Sequence, residues 1–140
     1  QQYLDVAMNP SKESVRAVFE KLVADPIRIP EILVNGFIYR ISQPGAKHAF
    51  KSAFENSVHT KMNVVSLKRI GGSKIPTLII WGRQDKLIPL EHFTAFQKLI
   101  AGSNGVVVED AGHAPFAEKP AIVCELLHRF LLAEESEAIA

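Results

Sequence analysis

Two short β-type runs in the second half of the chain constrain its fold most. They are Thr77–Trp81 and Val106–Glu109, which are largely apolar, and each leads into a polar loop. Apolar runs of about four to eight residues are typical of strands buried in a parallel sheet. Residues 90–100 lie between them and carry apolar side chains at helical spacing, as expected of the crossover helix that parallel strands require. The stretch therefore predicts a βαβα unit.

One acid–base residue follows each predicted strand. Asp85 lies in R-Q-D-K after the first, and His113 lies in A-G-H-A-P after the second. Because function in open α/β sheets lies at the carboxyl ends of the strands, we expect the two side chains to meet there. His113 would then act as a general base, with Asp85 orienting its ring. Either residue alone is equally typical of a turn or a packed loop, but the pair favours the catalytic interpretation.

Residues 1–70 predict helices and no strand. Amphipathic segments are expected, one capped by Ser11 and one with Pro30 at its first helical position. The most linker-like composition in the chain, Gly71–Ser73, comes next. We therefore place a boundary there, with a helical domain at 1–70 and an α/β domain at 71–140.

Two strands are too few to form a stable parallel sheet, which needs further strands and helices on both faces. The apolar faces of the predicted helices add to the surface that remains uncovered. We therefore expect the chain to be part of a larger fold. The missing part is expected on the N-terminal side, because the last helix and the charged tail at 134–140 are typical of a chain end.

The composition argues against several other functions. A net charge of +1 gives no footprint for nucleic acid, and no stretch suggests a membrane. Cys124 is the only cysteine, so an internal disulfide is excluded and a packed thiol is expected within its helical pattern. The five histidines lack ligand spacing, so neither a metal nor a cofactor is predicted. A cytoplasmic location is expected, although the start at Gln1 leaves a signal peptide open.

A family resemblance rests on the motifs W-G-R-Q-D-K-L-I-P and A-G-H-A-P-F-A-E-K-P, followed by a terminal amphipathic helix. Together they resemble the last third of an α/β-hydrolase over residues 74–132. In that family the acid follows strand seven and the histidine follows strand eight, which implies these roles for Asp85 and His113. The helical segment before them resembles the cap inserted after strand six. It is most similar to the caps of meta-cleavage-product hydrolases, which cut carbon–carbon bonds of dienoate acids.

Two positions depart from that subfamily. Phe37 stands where those enzymes usually place an arginine for the substrate carboxylate, and Ala114 stands where they usually carry tryptophan. A carboxylate left unpaired in a closed pocket is costly, so the resemblance implies the superfamily rather than the subfamily. Arg40, about one helical turn from Phe37, is more typical of a surface arginine. The candidate substrate-binding residues are Phe37, Ile38, Leu87 and Ile88.

The nucleophile motif of the family, G-x-S-x-G, does not occur in the sequence, and Ser73 precedes a predicted strand rather than following one. The resemblance implies that this chain supplies the lid, the acid and the histidine of a serine hydrolase, and that the nucleophile lies outside it. The implied substrate is a small apolar ester or a molecule cleaved at a carbon–carbon bond. The expected partners are the small-molecule substrate and the N-terminal part of the core, and a homodimer stays open. Two alternatives also stay open. One is an aspartate nucleophile, as in dehalogenases and epoxide hydrolases, and the other is a non-catalytic receptor or pseudoenzyme.

Overall fold

The computed structural model describes residues 2–59 and 63–138. The chain divides into two units, one formed by residues 2–21 and 25–59 and the other by residues 22–24 and 63–138. The short segment 22–24 thus belongs to the second unit, although the residues on both sides of it belong to the first.

The first unit is helical. Its elements are α1 (Gln2–Met8), α2 (Lys12–Leu22, whose last residue belongs to the second unit), a 3₁₀ turn (Pro26–Arg28), α3 (Glu31–Ile41) and α4 (Ala46–His59). Helix α4 packs against α1 and α3. The buried apolar side chains of this unit are Leu4, Ala7, Val15, Val18, Ile29, Val34 and Ile41. The expectation of helices without a strand is confirmed for the described part of residues 1–70.

The helix starts follow local capping chemistry. Ser11 caps α2 as predicted, because its Oγ accepts a hydrogen bond from the Ser14 amide at 3.1 Å. Ser14 Oγ in turn accepts from the Ser11 amide at 3.0 Å, so each hydroxyl satisfies an amide at the helix start. Pro30 was expected at the first helical position, but it is the N-cap, and α3 begins one residue later at Glu31. Helix α1 was not predicted.

The second unit contains the predicted βαβα arrangement. Its elements are α5 (Val64–Gly72), β1 (Leu78–Gly82), α6 (Glu91–Leu99), β2 (Asn104–Val108), α7 (Pro115–Glu118) and α8 (Pro120–Ala138). The strands pair in parallel, from Leu78 opposite Asn104 to Gly82 opposite Val108. Both strands therefore end at the same edge of the sheet, and the loops that carry Asp85 and His113 leave from that edge.

The division between the units lies before α5, whereas the sequence placed it at Gly71–Ser73. Gly71 and Gly72 form the end of α5, which packs against α6. A Cβ atom at Gly71 would lie 2.5 Å from the Ala101 amide nitrogen, so this glycine permits a close backbone approach rather than marking a linker.

Other differences concern the C-terminal helix. The last helix was expected from Glu118 onward, but the separate helix α7 ends there and α8 begins at Pro120. Helix α8 continues to Ala138, so the tail that was expected to fray is helical as far as that residue. The prediction of a packed thiol is wrong, because Cys124 is exposed on α8. The helical spacing of the apolar residues predicted the helix correctly, but it did not show which face of the helix is buried.

Candidate active site

The loop after β1 holds Asp85 through its own backbone. Asp85 Oδ1 accepts hydrogen bonds from the amides of Leu87 and Ile88, both at 2.9 Å, and the Asp85 amide reaches the Gly82 carbonyl at 3.3 Å. The side chain of Asp85 is only 5% exposed. One carboxylate oxygen therefore closes the turn, and the other is free for a different partner.

Trp81 fixes the far end of the same loop. Its indole Nε1–H donates to the Ile88 carbonyl at 3.1 Å. The ring packs against α6, with centroid distances of 6.3 Å to Phe93 and 5.9 Å to Phe96. A half-buried indole that packs on one face and also meets a hydrogen-bond acceptor is an effective anchor, so the strand and its helix together hold the Asp85 loop in place.

His113 meets the second oxygen of Asp85. The distance from His113 Nδ1 to Asp85 Oδ2 is 2.9 Å, within the hydrogen-bond range, and the His113 side chain is 35% exposed. Because a carboxylate only accepts, Nδ1 is the donor in this bond, and in the neutral ring Nε2 is then the acceptor. The structure thus brings the two predicted residues together in the geometry of a base and its orienting acid.

Gly82 allows the two loops to approach this closely. A Cβ atom at Gly82 would lie 1.9 Å from the Gly112 carbonyl oxygen and 2.5 Å from that of Ala111. Beside it, Gln84 joins the two loops through two hydrogen bonds. Its backbone amide donates to the Ala111 carbonyl at 2.9 Å, and its side-chain Oε1 accepts from the Ala111 backbone amide at 3.1 Å. Any larger residue at position 82 would push the histidine loop away from the aspartate loop.

A surface ion pair joins Arg83 and Glu109, the residues that directly follow the last strand pair, Gly82 and Val108. The Arg83 guanidinium contacts the Glu109 carboxylate at 2.7 Å and 3.0 Å, and the Arg83 amide donates to the Val108 carbonyl at 2.9 Å. Hydrogen bonds from Arg83 hold the pKa of Glu109 below its ordinary value, and the Glu109 carboxylate raises the pKa of Arg83. Both groups are solvent-exposed, so water screens the interaction.

Glu118, at the end of α7, contacts the backbone on both sides of His113. Its Oε1 accepts from the Gly112 amide at 2.8 Å and from the Ala114 amide at 3.3 Å. Its Oε2 accepts from the Ala24 amide at 2.7 Å. Glu118 was not predicted as a site residue, although it stands in the A-G-H-A-P-F-A-E-K-P motif.

The segment 22–24 lies directly against the histidine loop. The His113 amide donates to the Leu22 carbonyl at 2.7 Å. A Cβ atom at Gly112 would lie 2.5 Å from that same carbonyl oxygen, so glycine provides the room for this contact. No residue pattern at 22–24 signalled it, because the contact uses a backbone carbonyl that every residue possesses.

A cavity of about 220 Å³ opens beside the Asp85–His113 pair. Its lining is largely apolar and consists of Ile80, Trp81, Gly82, Asp85, Ile88, His113 and Pro115. A small apolar molecule in this cavity would lie next to the histidine ring. Four of the lining residues were not predicted as site residues from the sequence, namely Ile80, Trp81, Gly82 and Pro115.

The four candidate substrate-binding residues fall in different places. Ile88 lines the cavity, whereas its neighbour Leu87 is not among the lining residues and is 39% exposed. Phe37 and Ile38 lie in the first unit and are half-buried. The ring of Phe37 packs edge-to-face against Phe19 at 5.7 Å and Phe50 at 6.4 Å. These contacts favour packing for Phe37, and a role in substrate binding stays a prediction for all four.

Within residues 2–59 and 63–138, no three side chains of the His, Cys, Asp and Glu types come together as a metal-binding group. No helix in the same ranges has the length and apolar character needed to cross a membrane.

The comparisons with known proteins agree with the fold. The family model of the α/β hydrolase fold matches residues 19–120, and the chain belongs to this family. A monoacylglycerol lipase, ABHD6, from Bos taurus is 36% identical over 110 residues, which cover 78% of this chain and 32% of the lipase. A 2-hydroxy-6-oxononadienedioate/2-hydroxy-6-oxononatrienedioate hydrolase from Pseudomonas sp is 31% identical over 93 residues, which cover 59% of this chain and 29% of that enzyme.

A solved structure of a meta-cleavage product hydrolase from Pseudomonas fluorescens has a TM-score of 0.78 at 23% identity, over 90% of this chain and 47% of that one. At this identity the likeness shows the fold alone. The α/β-hydrolase fold and the resemblance of the helical segment to the caps of these enzymes are confirmed. The chain spans about a third of the length of the two curated relatives and about half of the solved structure.

Proposed function

We propose that this chain supplies the general base, its orienting acid and the lid of an α/β-fold hydrolase. The observation that carries the proposal is the hydrogen bond of 2.9 Å between His113 Nδ1 and the buried Asp85 carboxylate. The two residues follow adjacent parallel strands and face an apolar cavity. Ligands in open α/β sheets bind at this end of the strands, which supports a catalytic role for the pair.

In the proposed reaction, His113 Nε2 takes the proton of a serine hydroxyl while the serine oxygen attacks the substrate carbonyl. Asp85 holds the ring in the tautomer that leaves Nε2 free, and it stabilises the imidazolium that forms. The imidazolium then gives its proton to the leaving group, and an acyl-enzyme remains. Water, deprotonated by the same Nε2, releases the acid and restores the serine.

The serine, the oxyanion hole and further strands would come from a part of the core that precedes this chain. The surface of the second unit supports this proposal, since α8 exposes Leu127 and Leu131, and Ile75 is exposed before β1. The strands themselves are only half-covered along most of their length. Apolar surface of this kind is typical of a face that packs against another element.

We propose a small apolar ester or carbon–carbon substrate. The apolar lining of the cavity and the name of one relative, a monoacylglycerol lipase, support the ester. The other relative is named as a hydrolase of dienedioates and trienedioates, which are dicarboxylates, and it keeps the carbon–carbon substrate as the second candidate. Phe37 lies in the cap segment, where a cation for a substrate carboxylate would otherwise be expected, which favours the ester. Assaying the full-length protein with matched apolar and anionic esters would test this preference.

The test of the proposed function is His113→Ala in the full-length protein, with the short-chain ester p-nitrophenyl butyrate as substrate. We expect kcat to fall on the order of a thousandfold or more, because the nucleophile loses its base. The matched control is His92→Ala, which removes an exposed histidine of α6 and should leave kcat unchanged. Labelling with a fluorophosphonate followed by peptide mass spectrometry would identify the nucleophile.

Three outcomes are decisive. A labelled serine together with an inactive His113→Ala variant supports the proposal. An unlabelled enzyme that forms an ester on an upstream aspartate would instead indicate the dehalogenase or epoxide hydrolase chemistry. A wild-type protein inactive toward all these substrates would favour a receptor or pseudoenzyme.

A further inference from the structure

We propose that Glu118 is a positioning residue that holds His113 in reach of both its acid and its substrate. The proposal rests on the proposed function and deepens it. Glu118 is not among the residues that line the cavity, and its two carboxylate oxygens accept hydrogen bonds from backbone amides. Any effect on the reaction would therefore pass through the position of His113.

The backbone of the histidine loop, residues 111–114, depends on hydrogen-bond acceptors outside the loop. Residues 111–114 lie in neither a helix nor a strand, so their amides have no regular hydrogen-bond partners. Each of the four amides nevertheless donates to an acceptor outside residues 111–114. Gln84 Oε1 accepts from position 111, Glu118 Oε1 from positions 112 and 114, and the Leu22 carbonyl from position 113. Glu118 alone thus fixes the residues on both sides of the histidine.

The second carboxylate oxygen extends this support. Oε2 of Glu118 accepts from the Ala24 amide at 2.7 Å, two residues after the Leu22 carbonyl that holds the His113 amide. Glu118 and the segment 22–24 therefore hold each other and the histidine loop in one connected set of hydrogen bonds. Hydrogen bonds to a carboxylate are shorter and stronger than those between neutral groups, which suits this shared acceptor.

The size of the expected effect follows from the geometry of proton transfer. A displacement of about 1 Å at a catalytic group can lower the rate on the order of a hundredfold. Without the carboxylate, the amides at 112 and 114 lose their acceptor and turn toward water, and the loop is no longer held on either side of His113. Turnover should fall more than substrate affinity, because the cavity lining does not include Glu118.

The experiment compares Glu118→Ala and Glu118→Gln in the full-length protein. For Glu118→Ala we expect kcat to fall about 10- to 100-fold with KM changed by less than about twofold. Glutamine keeps one oxygen for Gly112 and Ala114 but presents an NH₂ group to the Ala24 amide. Glu118→Gln should therefore retain more activity than Glu118→Ala, with a fall of about three- to tenfold. The matched control is Glu109→Gln, which removes an exposed carboxylate paired with Arg83 and should leave kcat unchanged.

A second readout does not depend on turnover. The Nδ1 proton of His113, which lies in the hydrogen bond to Asp85, should give a low-field proton NMR resonance in the wild-type protein. It should move upfield or broaden in Glu118→Ala, change less in Glu118→Gln and remain unchanged in Glu109→Gln. This measurement tests the position of the ring even where the ester assay fails, so failure of the proposed function and failure of this inference can be told apart.

The inference is overturned if folded Glu118→Ala keeps wild-type kcat and the same low-field resonance. If Glu118→Ala does not fold, the near-isosteric Glu118→Gln decides, and wild-type kcat with an unchanged resonance overturns the inference. An equal fall of kcat in the Glu109→Gln control would also overturn the inference. The effect would then follow from the loss of a negative charge rather than from the hydrogen bonds to the histidine loop.

Discussion

The Asp85 loop and the His113 loop contribute the two partners of one hydrogen bond, but they are held in different ways. The Asp85 loop is held largely by its own neighbourhood. Asp85 Oδ1 accepts from the amides of Leu87 and Ile88, and Trp81 in the preceding strand holds the Ile88 carbonyl. Each of these contacts joins residues that are at most seven positions apart in the chain.

The His113 loop is held from outside. Its amides donate to Leu22, Gln84 and Glu118, two of which lie far away in the chain. The difference has a chemical reason. A carboxylate has two oxygens, so Asp85 can close its turn with one and orient the ring with the other. In the proposed mechanism both ring nitrogens of His113 are occupied, Nδ1 by Asp85 and Nε2 by the reacting proton, so the side chain cannot also anchor its loop.

The largest effect should come from separating the two functions of Asp85. In Asp85→Asn, the side-chain oxygen can still close the turn, but the NH₂ group faces His113 Nδ1 and favours the wrong tautomer. We expect kcat to fall on the order of 10³- to 10⁴-fold while the melting temperature of the full-length protein stays within about 2 °C. Steady-state kinetics and thermal unfolding by circular dichroism measure both quantities.

Asp85→Ala sharpens this result because it removes both oxygens. The variant should be as inactive as Asp85→Asn but less stable, since the amides of Leu87 and Ile88 lose their acceptor. If the asparagine variant instead kept near wild-type turnover, the orienting acid would have to be a different residue. Equal stability of the two variants would mean that the turn does not depend on Asp85.

A smaller but still large effect is expected where the two loops meet. Gly82→Ala places a methyl group 1.9 Å from the Gly112 carbonyl oxygen, and both are backbone positions with little freedom to move. Overpacking of this kind costs about 1–3 kcal/mol. The forced displacement of the histidine loop should lower kcat on the order of a hundredfold. Urea unfolding and ester hydrolysis by the full-length protein test the two expectations.

Gly72→Ala is the matched control, because a Cβ atom at Gly72 meets nothing within 4 Å. Alanine is favoured over glycine in a helix, so this variant should be as stable as the wild type or slightly more stable. Wild-type activity in Gly82→Ala would show that the loops can separate without harm, and the close approach would then have no functional meaning.

The contrast between the loops also explains what the sequence could predict. The strands, the crossover helix and the positions of Asp85 and His113 depend on short-range patterns, namely apolar runs, helical spacing and turn residues. The contacts of the segment 22–24 depend on a backbone carbonyl and an amide, which carry no residue signature. Gly71 shows a related difficulty, because glycine in a linker and glycine at a close backbone contact look the same in a sequence.

A moderate effect is expected at the other end of the Asp85 loop. Trp81→Phe keeps an aromatic ring against Phe93 and Phe96 but removes the Nε1–H that donates to the Ile88 carbonyl. The loss of one such hydrogen bond should lower the free energy of unfolding by about 0.5–1.5 kcal/mol. Because the Asp85 turn has its own internal bonds, kcat should fall less than tenfold. A loss as large as that of Gly82→Ala would show that this loop, too, depends on support from outside its turn.

The smallest effect should come from the ion pair between Arg83 and Glu109, which joins the two loops at their exposed start. Arg83 lowers the pKa of Glu109 in the folded protein, so the pair stabilises the fold above the ordinary glutamate value of 4.5. This contribution is lost as the pH falls from 4.5 through the lowered pKa, because the carboxylate is then protonated in the folded protein as well. The difference in urea midpoint between wild type and Glu109→Gln should therefore be small at pH 7 and disappear in acid. Added salt at pH 7 should reduce this difference in urea midpoint as well, since both groups are exposed.

A difference in urea midpoint that persisted in acid would mean that Glu109 acts through its shape rather than its charge. In that case the surface pair, and not only Gln84 and Gly82, would help to set the distance between the loops.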